Sequence, residues 1–161
     1  MPVGTVLALC ISAGGIPKSP VPMARVTVEG LEGDGRNHAK HAKPSRAVSL
    51  IDEEILDELR AEGFSLPAGA TGENMVIEGL DVQHLDVGAV LEFSGGVVLE
   101  LTEMRKPCFV LDSIDPRLKE VIVGRCGFMA RVIREGCIAT DEKVHVSDHI
   151  GDSHPDTCKE D

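Results

Sequence analysis

The sequence predicts a mainly β fold, a barrel or sandwich with a few peripheral helices. Short segments with period-two alternation recur along the chain. In the clearest of them Val97, Leu99 and Leu101 alternate with Val98, Glu100 and Thr102, the pattern of a strand with one face on a core. Glycine- and proline-bearing turns separate these segments. Only two stretches read as clear helices, so the regular βαβ alternation of a Rossmann sheet is absent.

Composition narrows the classes. The chain has 161 residues, enough for one domain with a sizeable core. Aromatic content is 2%, with no Trp and no Tyr, so the core must come from aliphatic side chains. Single-stranded nucleic-acid binding, which stacks bases on aromatic rings, is disfavoured. A net charge of −11 argues against broad binding to nucleic acid or an anionic membrane. Five cysteines without CxxC spacing, and no signal-like or membrane-spanning segment, point to a reducing cytoplasm. With no repeat or linker in view, the expectation is a single domain over residues 1–146 and a polar, frayed tail over 147–161.

Taken in order, Val3 to Ser12 reads as an apolar first strand and Ala13 to Pro20 as a loop. Arg25 to Glu29 alternates and suits a short strand. Gly30 to Pro44 shows no periodicity and reads as one long loop, a length usually functional or disordered. Ala47 to Ile51 is a strand running into a helix. There Asp52 is the expected N-cap, Glu53 and Glu54 sit in the first turn, Ile55, Leu56 and Leu59 form the apolar stripe, and Gly63 ends it. Pro67 to Glu73 is a second glycine-rich loop, followed by strands at Asn74 to Glu78 and Ala89 to Phe93 with a tight helical turn between. Gly95-Gly96 makes a hairpin into the strand ending at Met104. A short helix follows Pro116, and Phe128 to Arg134 and Glu142 to Val146 are the last two strands.

Chemistry collects in three places. Cys108 follows Arg105-Lys106-Pro107 at the end of a strand, where proline stops the ladder and nearby cations favour a thiolate. From the residues alone it reads more readily as a small buried hydrophobe before Phe109, Val110 and Leu111. The second place is the run Arg36 to Arg46, which holds Arg36, Lys40, Lys43, Arg46, His38 and His41 and no acid. It reads as a site for a phosphate-like anion or as a solvated basic loop, with Gly33-Asp34-Gly35 allowing close backbone approach. His38 and His41, three apart, lack the further ligands of a zinc site. The third is Gly69-Ala70-Thr71-Gly72-Glu73-Asn74, an anion nest or simply a tight turn.

Together these pieces resemble one family. Gly15-Ile16-Pro17-Lys18-Ser19-Pro20-Val21, Gly30-Leu31-Glu32-Gly33-Asp34-Gly35 with His38, Arg46-Ala47-Val48-Ser49-Leu50, Gly72-Glu73-Asn74, Thr102 to Cys108, and Gly127 to Val132 with Gly136 stand in the order of a MOSC domain. That module occurs at the C-terminus of molybdenum cofactor sulfurases and as small stand-alone bacterial proteins. The resemblance covers roughly residues 3 to 146.

It implies a β-barrel, a bound molybdenum cofactor (molybdopterin), and Cys108 as the thiolate that coordinates molybdenum or carries sulfur. Lys18, Arg36, His38, Arg46, Gly72, Glu73, Asn74 and Arg105 would hold the pterin and its phosphate. Two departures stand out: Thr140-Asp141 replaces the usual Gly-Asp before the last strand, and no second domain is expected. No pyridoxal-phosphate site is visible, so sulfur transfer would need a cysteine desulfurase partner. Reduction of N-hydroxylated substrates would need a partner reductase. The alternatives are a non-catalytic cofactor carrier and a degenerate interaction module.

Overall fold

The computed structural model describes residues 3–12, 16–35, 44–107, 111–112 and 114–147. In chain order these form β1 (Val3–Ile11), β2 (Ser19–Val21), β3 (Met23–Thr27), β4 (Gly30–Leu31), β5 (Val48–Asp52), α1 (Glu53–Ala61), β6 (Met75–Glu78), β7 (Val90–Phe93), β8 (Val98–Met104), α2 (Leu118–Val121), β9 (Phe128–Arg134), β10 (Gly136–Ala139) and β11 (Lys143–Ser147). Single 3₁₀ turns lie at Pro44–Arg46 and Val82–His84.

The expected barrel is there. Seven strands close in the order β1, β11, β7, β8, β9, β5, β6 and back to β1, with β2 paired to the end of β1 and a small sheet β10-β3-β4 besides. Closure removes the free edges that an open sheet would leave. β5 and β6 pair in parallel, as they must when α1 makes the crossover between them; the other ring pairs are antiparallel.

Alternation along the strands sorts side chains to two cores. Val97, Leu99 and Leu101 are fully buried in the barrel with Val6, Leu9, Leu50, Met75, Leu91 and Phe128. A second cluster lies outside the wall, where Ile55, Leu56 and Leu59 of α1 meet Ile51, Val76, Leu111, Leu118 and Ile122. Each such side chain contributes about 1.5–3 kcal/mol by leaving water. The stripe read from the sequence is thus the face α1 buries.

Some expectations need correction. Ser19 and Pro20, read as the end of a loop, open the strand Ser19–Val21, with Pro20 opposite Cys10 on an edge where a missing N–H is tolerated. β4 and β10 were not anticipated. β4 has two residues, and β10 opens on Gly136; neither is long enough to show a period. Asp52 holds the expected N-cap position of α1 but makes no side-chain cap hydrogen bond. Its buried carboxylate instead accepts the backbone N–H groups of Val82 and Gln83 at 2.7 and 2.9 Å, and burial pushes its pKa up. The Thr140-Asp141 turn is made with Asp141 at φ 72°, a conformation Asp tolerates, and its N–H donates to the Val6 carbonyl. Ser147, expected to begin the frayed tail, ends β11, and residues 148–161 lie outside the described residues. Among the described residues no helix is long and apolar enough to cross a membrane.

The register places one cross-strand row in the wall: Met104 pairs Phe128, Phe128 pairs Leu50, Leu50 pairs Met75, and Met75 pairs Leu9. Arg105, Gly127, Ser49, Asn74 and Cys10 each adjoin a member of that row in sequence.

Candidate functional site

Asn74, entering β6, is the hub of the polar groups beside this row. Its Oδ1 accepts the Ser49 N–H at 3.0 Å, its own N–H donates to Ser49 Oγ at 2.9 Å, and the Ser49 hydroxyl donates to the Gly72 carbonyl at 3.2 Å. Its Nδ2 donates to the Cys10 carbonyl at 3.1 Å and to Asp34 Oδ2 at 2.9 Å. A buried amide needs this satisfaction, and Asn74 is 3% exposed.

Asp34 gathers more. Its carboxylate accepts the Ser12 N–H at 3.0 Å and both contacts of the Lys18 ammonium at 2.7 and 2.8 Å. The pair is largely buried, with side-chain exposures of 12% for Lys18 and 4% for Asp34. Lys18 is also tied by its backbone, donating its N–H to the Gly69 carbonyl at 2.8 Å. A β-carbon at Gly69 would lie 2.1 Å from the Lys18 carbonyl oxygen, so only glycine permits this approach.

The loop expected to form an anion nest encloses an anion of its own. Glu73, fully buried, accepts the Gly69 N–H at 2.6 Å, the Thr71 N–H at 3.2 Å and the Thr71 hydroxyl at 2.5 Å. Arg105 then binds this loop to the start of β9. Its guanidinium donates to the Thr71 carbonyl at 2.8 Å and, at 3.4 Å, to that of Cys126, while its backbone N–H donates to Gly127 at 2.9 Å. Gly72 lies between them: a β-carbon there would come within 2.9 Å of Ile16 and 3.6 Å of Arg105 Nη2.

Lys18, Gly72, Glu73, Asn74 and Arg105 are therefore drawn into one connected network. Arg46 is bonded elsewhere, 2.9 Å from Glu103 at the end of β8. The contact is an ion pair of poor direction: among the described residues the buried Nε–H completes no hydrogen bond. The Thr102 hydroxyl, donating to the Ser45 carbonyl, fixes the turn that carries Arg46. Arg36, His38 and Cys108, the remaining residues expected at the site, lie outside the described residues.

Sequence reasoning missed Ser12, which acts through a backbone N–H that nearly every residue carries, and Ser49, which uses both its backbone N–H and its hydroxyl on Asn74 and Gly72. It also missed the chain from Asp52 through Gln83, whose Oε1 accepts the Gly127 N–H at 2.7 Å. Asp34 was visible between its glycines but was read as backbone only. Of the other cysteines, Cys10 and Cys126 are buried and in no disulfide, and burial pushes Cys10 up to about 12. Cys137, on β10, is disulfide-bonded, a pairing no spacing had indicated.

A closed seven-stranded barrel whose polar side chains collect where β1 ends, β6 begins and β8 ends defines a small β-barrel protein of the MOSC type. The chain belongs to the MOSC domain family, whose model matches residues 37–145. It is 32% identical over 123 residues to a protein named reductase from Gibberella moniliformis, covering 71% of this chain and 22% of that one. It is 30% identical over 135 residues to the uncharacterized protein YflK from Bacillus subtilis, covering 78% and 59%. The chain thus spans only part of the length of both relatives. Among solved structures, the YUAD protein from Bacillus subtilis superimposes with a TM-score of 0.75 at 18% identity, covering 89% of this chain and 96% of that one. YiiM from Geobacillus stearothermophilus gives 0.72 at 22%, covering 90% and 75%. These likenesses show the fold.

Proposed function

We propose that this MOSC protein binds a molybdenum cofactor, with Cys108 as the thiolate that ligates molybdenum or carries sulfur to it. The observation that supports the reading is the gathering of Lys18, Gly72, Asn74 and Arg105 in one network beside the strand that leads through Lys106 and Pro107 to Cys108. The donor set suits a pterin with a phosphate. An ammonium and a carboxamide already hold an oxyanion, and glycine at 72 keeps bulk away from Arg105. Arg36 and His38 would complete the cationic side.

Lys18 and Arg46, with Arg36, would bind the phosphate. Asn74 would orient a heterocycle edge. Glu73, turned inward, would act by holding the 69–74 loop in shape. Arg105 would fix the backbone on which Cys108 follows. A thiolate is a sensible ligand for a redox metal, and the cofactor would supply two-electron redox chemistry when bound. The likeness to a protein named reductase, of which this chain spans 22%, favours reduction with a partner reductase over sulfur transfer with a cysteine desulfurase. In that reading an N-hydroxylated substrate takes up two electrons and two protons and leaves as the amine and water, the electrons coming from the partner.

The test is elemental analysis for molybdenum on protein purified from a host that makes the cofactor, beside Cys108→Ala. Molybdenum near stoichiometry in the first and lost in the second is the expected result. Equal metal in both, or none in either, would defeat direct ligation by Cys108.

A further inference from the structure

We infer that the Asp34 carboxylate is a built-in competitor for the oxyanion site formed by the Ser12 N–H, the Lys18 ammonium and the Asn74 carboxamide. In the ligand-free chain it fills that site, and an incoming phosphate group must displace it. The inference rests on the cofactor reading only for the identity of the anion.

The geometry around Asp34 is that of a bound ligand. One carboxylate takes a backbone N–H at 3.0 Å, an ammonium at 2.7 and 2.8 Å, and an amide N–H at 2.9 Å. Cation, amide and backbone donors converging on one group of oxygens are the elements of an oxyanion site. Two of the three donors, Lys18 and Asn74, are side chains expected to meet an external ligand. While Asp34 stays, Lys18 is neutralised, and an arriving anion would meet a carboxylate of its own sign.

Two comparisons within the chain sharpen the point. Glu73 also fills a nest of N–H groups, but among the described residues no cation pairs with it, so its role is internal. Asp34 instead spends the ammonium. Its backbone, moreover, is held without help from its side chain: its N–H donates to Leu31 at 3.1 Å, and the Gly35 N–H donates to the Ser12 carbonyl at 2.7 Å. Rotation about the side-chain bonds would vacate the site while the loop keeps its place. Arg46 is paired in parallel fashion with Glu103, so both of these cations reach the ligand-free state already matched to an acid.

The experiment is titration of the full chain, free of cofactor, with inorganic phosphate at constant ionic strength by calorimetry. Asp34→Asn keeps an acceptor for the Ser12 N–H and removes the charge; it should bind phosphate about tenfold tighter than the parent. That gain should vanish in Asp34→Asn with Lys18→Met. Asp34→Ser, run in parallel with thermal unfolding of every variant, covers the case in which Asn does not fold. Phosphate affinity unchanged or weaker in both Asp34 variants overturns the inference, as does a gain that survives loss of Lys18. Because the probe needs no molybdenum, failure here with metal retained by the parent sinks this inference alone. A phosphate gain in a chain that takes up no molybdenum sinks the cofactor reading alone.

Discussion

Gly127 stands so close to Leu50 across the β5–β9 pair that a β-carbon on it would lie 1.9 Å from the Leu50 carbonyl oxygen. Its φ of 85° is the left-handed region, which other residues enter at a cost. Its N–H is taken by Gln83 and its carbonyl by Arg105, so a forced shift would reach the segment leading to Cys108. Gly127→Ala should cost about 3 kcal/mol or more in urea unfolding. Gly63→Ala, also at positive φ but with nothing within 4 Å of the new carbon, should cost only about 1 kcal/mol. Equal costs would show that the approach to Leu50 does not matter.

Arg105 joins Thr71 to Cys126 through two arms of a planar fork, a geometry lysine lacks. Arg105→Lys keeps the charge and should still lose about 1–2 kcal/mol of stability. If the network positions the cofactor, molybdenum retained through purification should fall as well. A variant with full stability and full metal content would remove Arg105 from both accounts.

Thiol reactivity separates the cysteines. Burial first, then the charges of Glu73 and Asp34 against the partly offsetting Lys18, push Cys10 up to about 12. On the order of 10⁻⁵ of it is thiolate at neutral pH. Timed alkylation of the native protein with peptide mapping should leave Cys10 unlabelled, while Cys108, in its proposed role, reacts first. Labelling of Cys10 at the rate of Cys108 would contradict this ordering.

Asp52 makes stability depend on pH. Burial raises its folded pKa above the ordinary value of 3.8, against the lowering effect of the Gln83 and Val82 N–H groups. A group raised in the fold gives its full contribution below its unfolded pKa and loses it as pH rises through the folded value. The stability of the parent relative to Asp52→Asn should therefore decline as pH climbs from about 3.8 toward neutrality. Urea titrations at several pH values measure the difference; a difference that grows with pH would reverse the sign and refute the assignment.

Much of the fold was legible because its signals are local. The alternation at Val97, Leu99 and Leu101 and the stripe of Ile55, Leu56 and Leu59 each reveal a buried face from a few neighbours. The order of short motifs carried the family. β2, β4 and β10 were illegible, since strands of two to four residues show no period and exist only because β1 and β3 offer them edges. Asp52 stands at the N-cap its local sequence fits, but its carboxylate bonds to groups 30 and 31 residues away.

By itself, then, the sequence determined the barrel class, the face α1 buries and some of the polar residues of the network, Lys18, Gly72, Glu73, Asn74 and Arg105. Only the tertiary structure decided how those residues spend their hydrogen bonds. Lys18 meets Asp34 across 16 residues, Ser12 meets it across 22 and Asn74 across 40, while Glu73 turns back on its own loop. Residue type sets which donors and acceptors are present. Which of them pair depends on strand register and barrel closure, and those are settled when the whole chain buries its apolar faces at once.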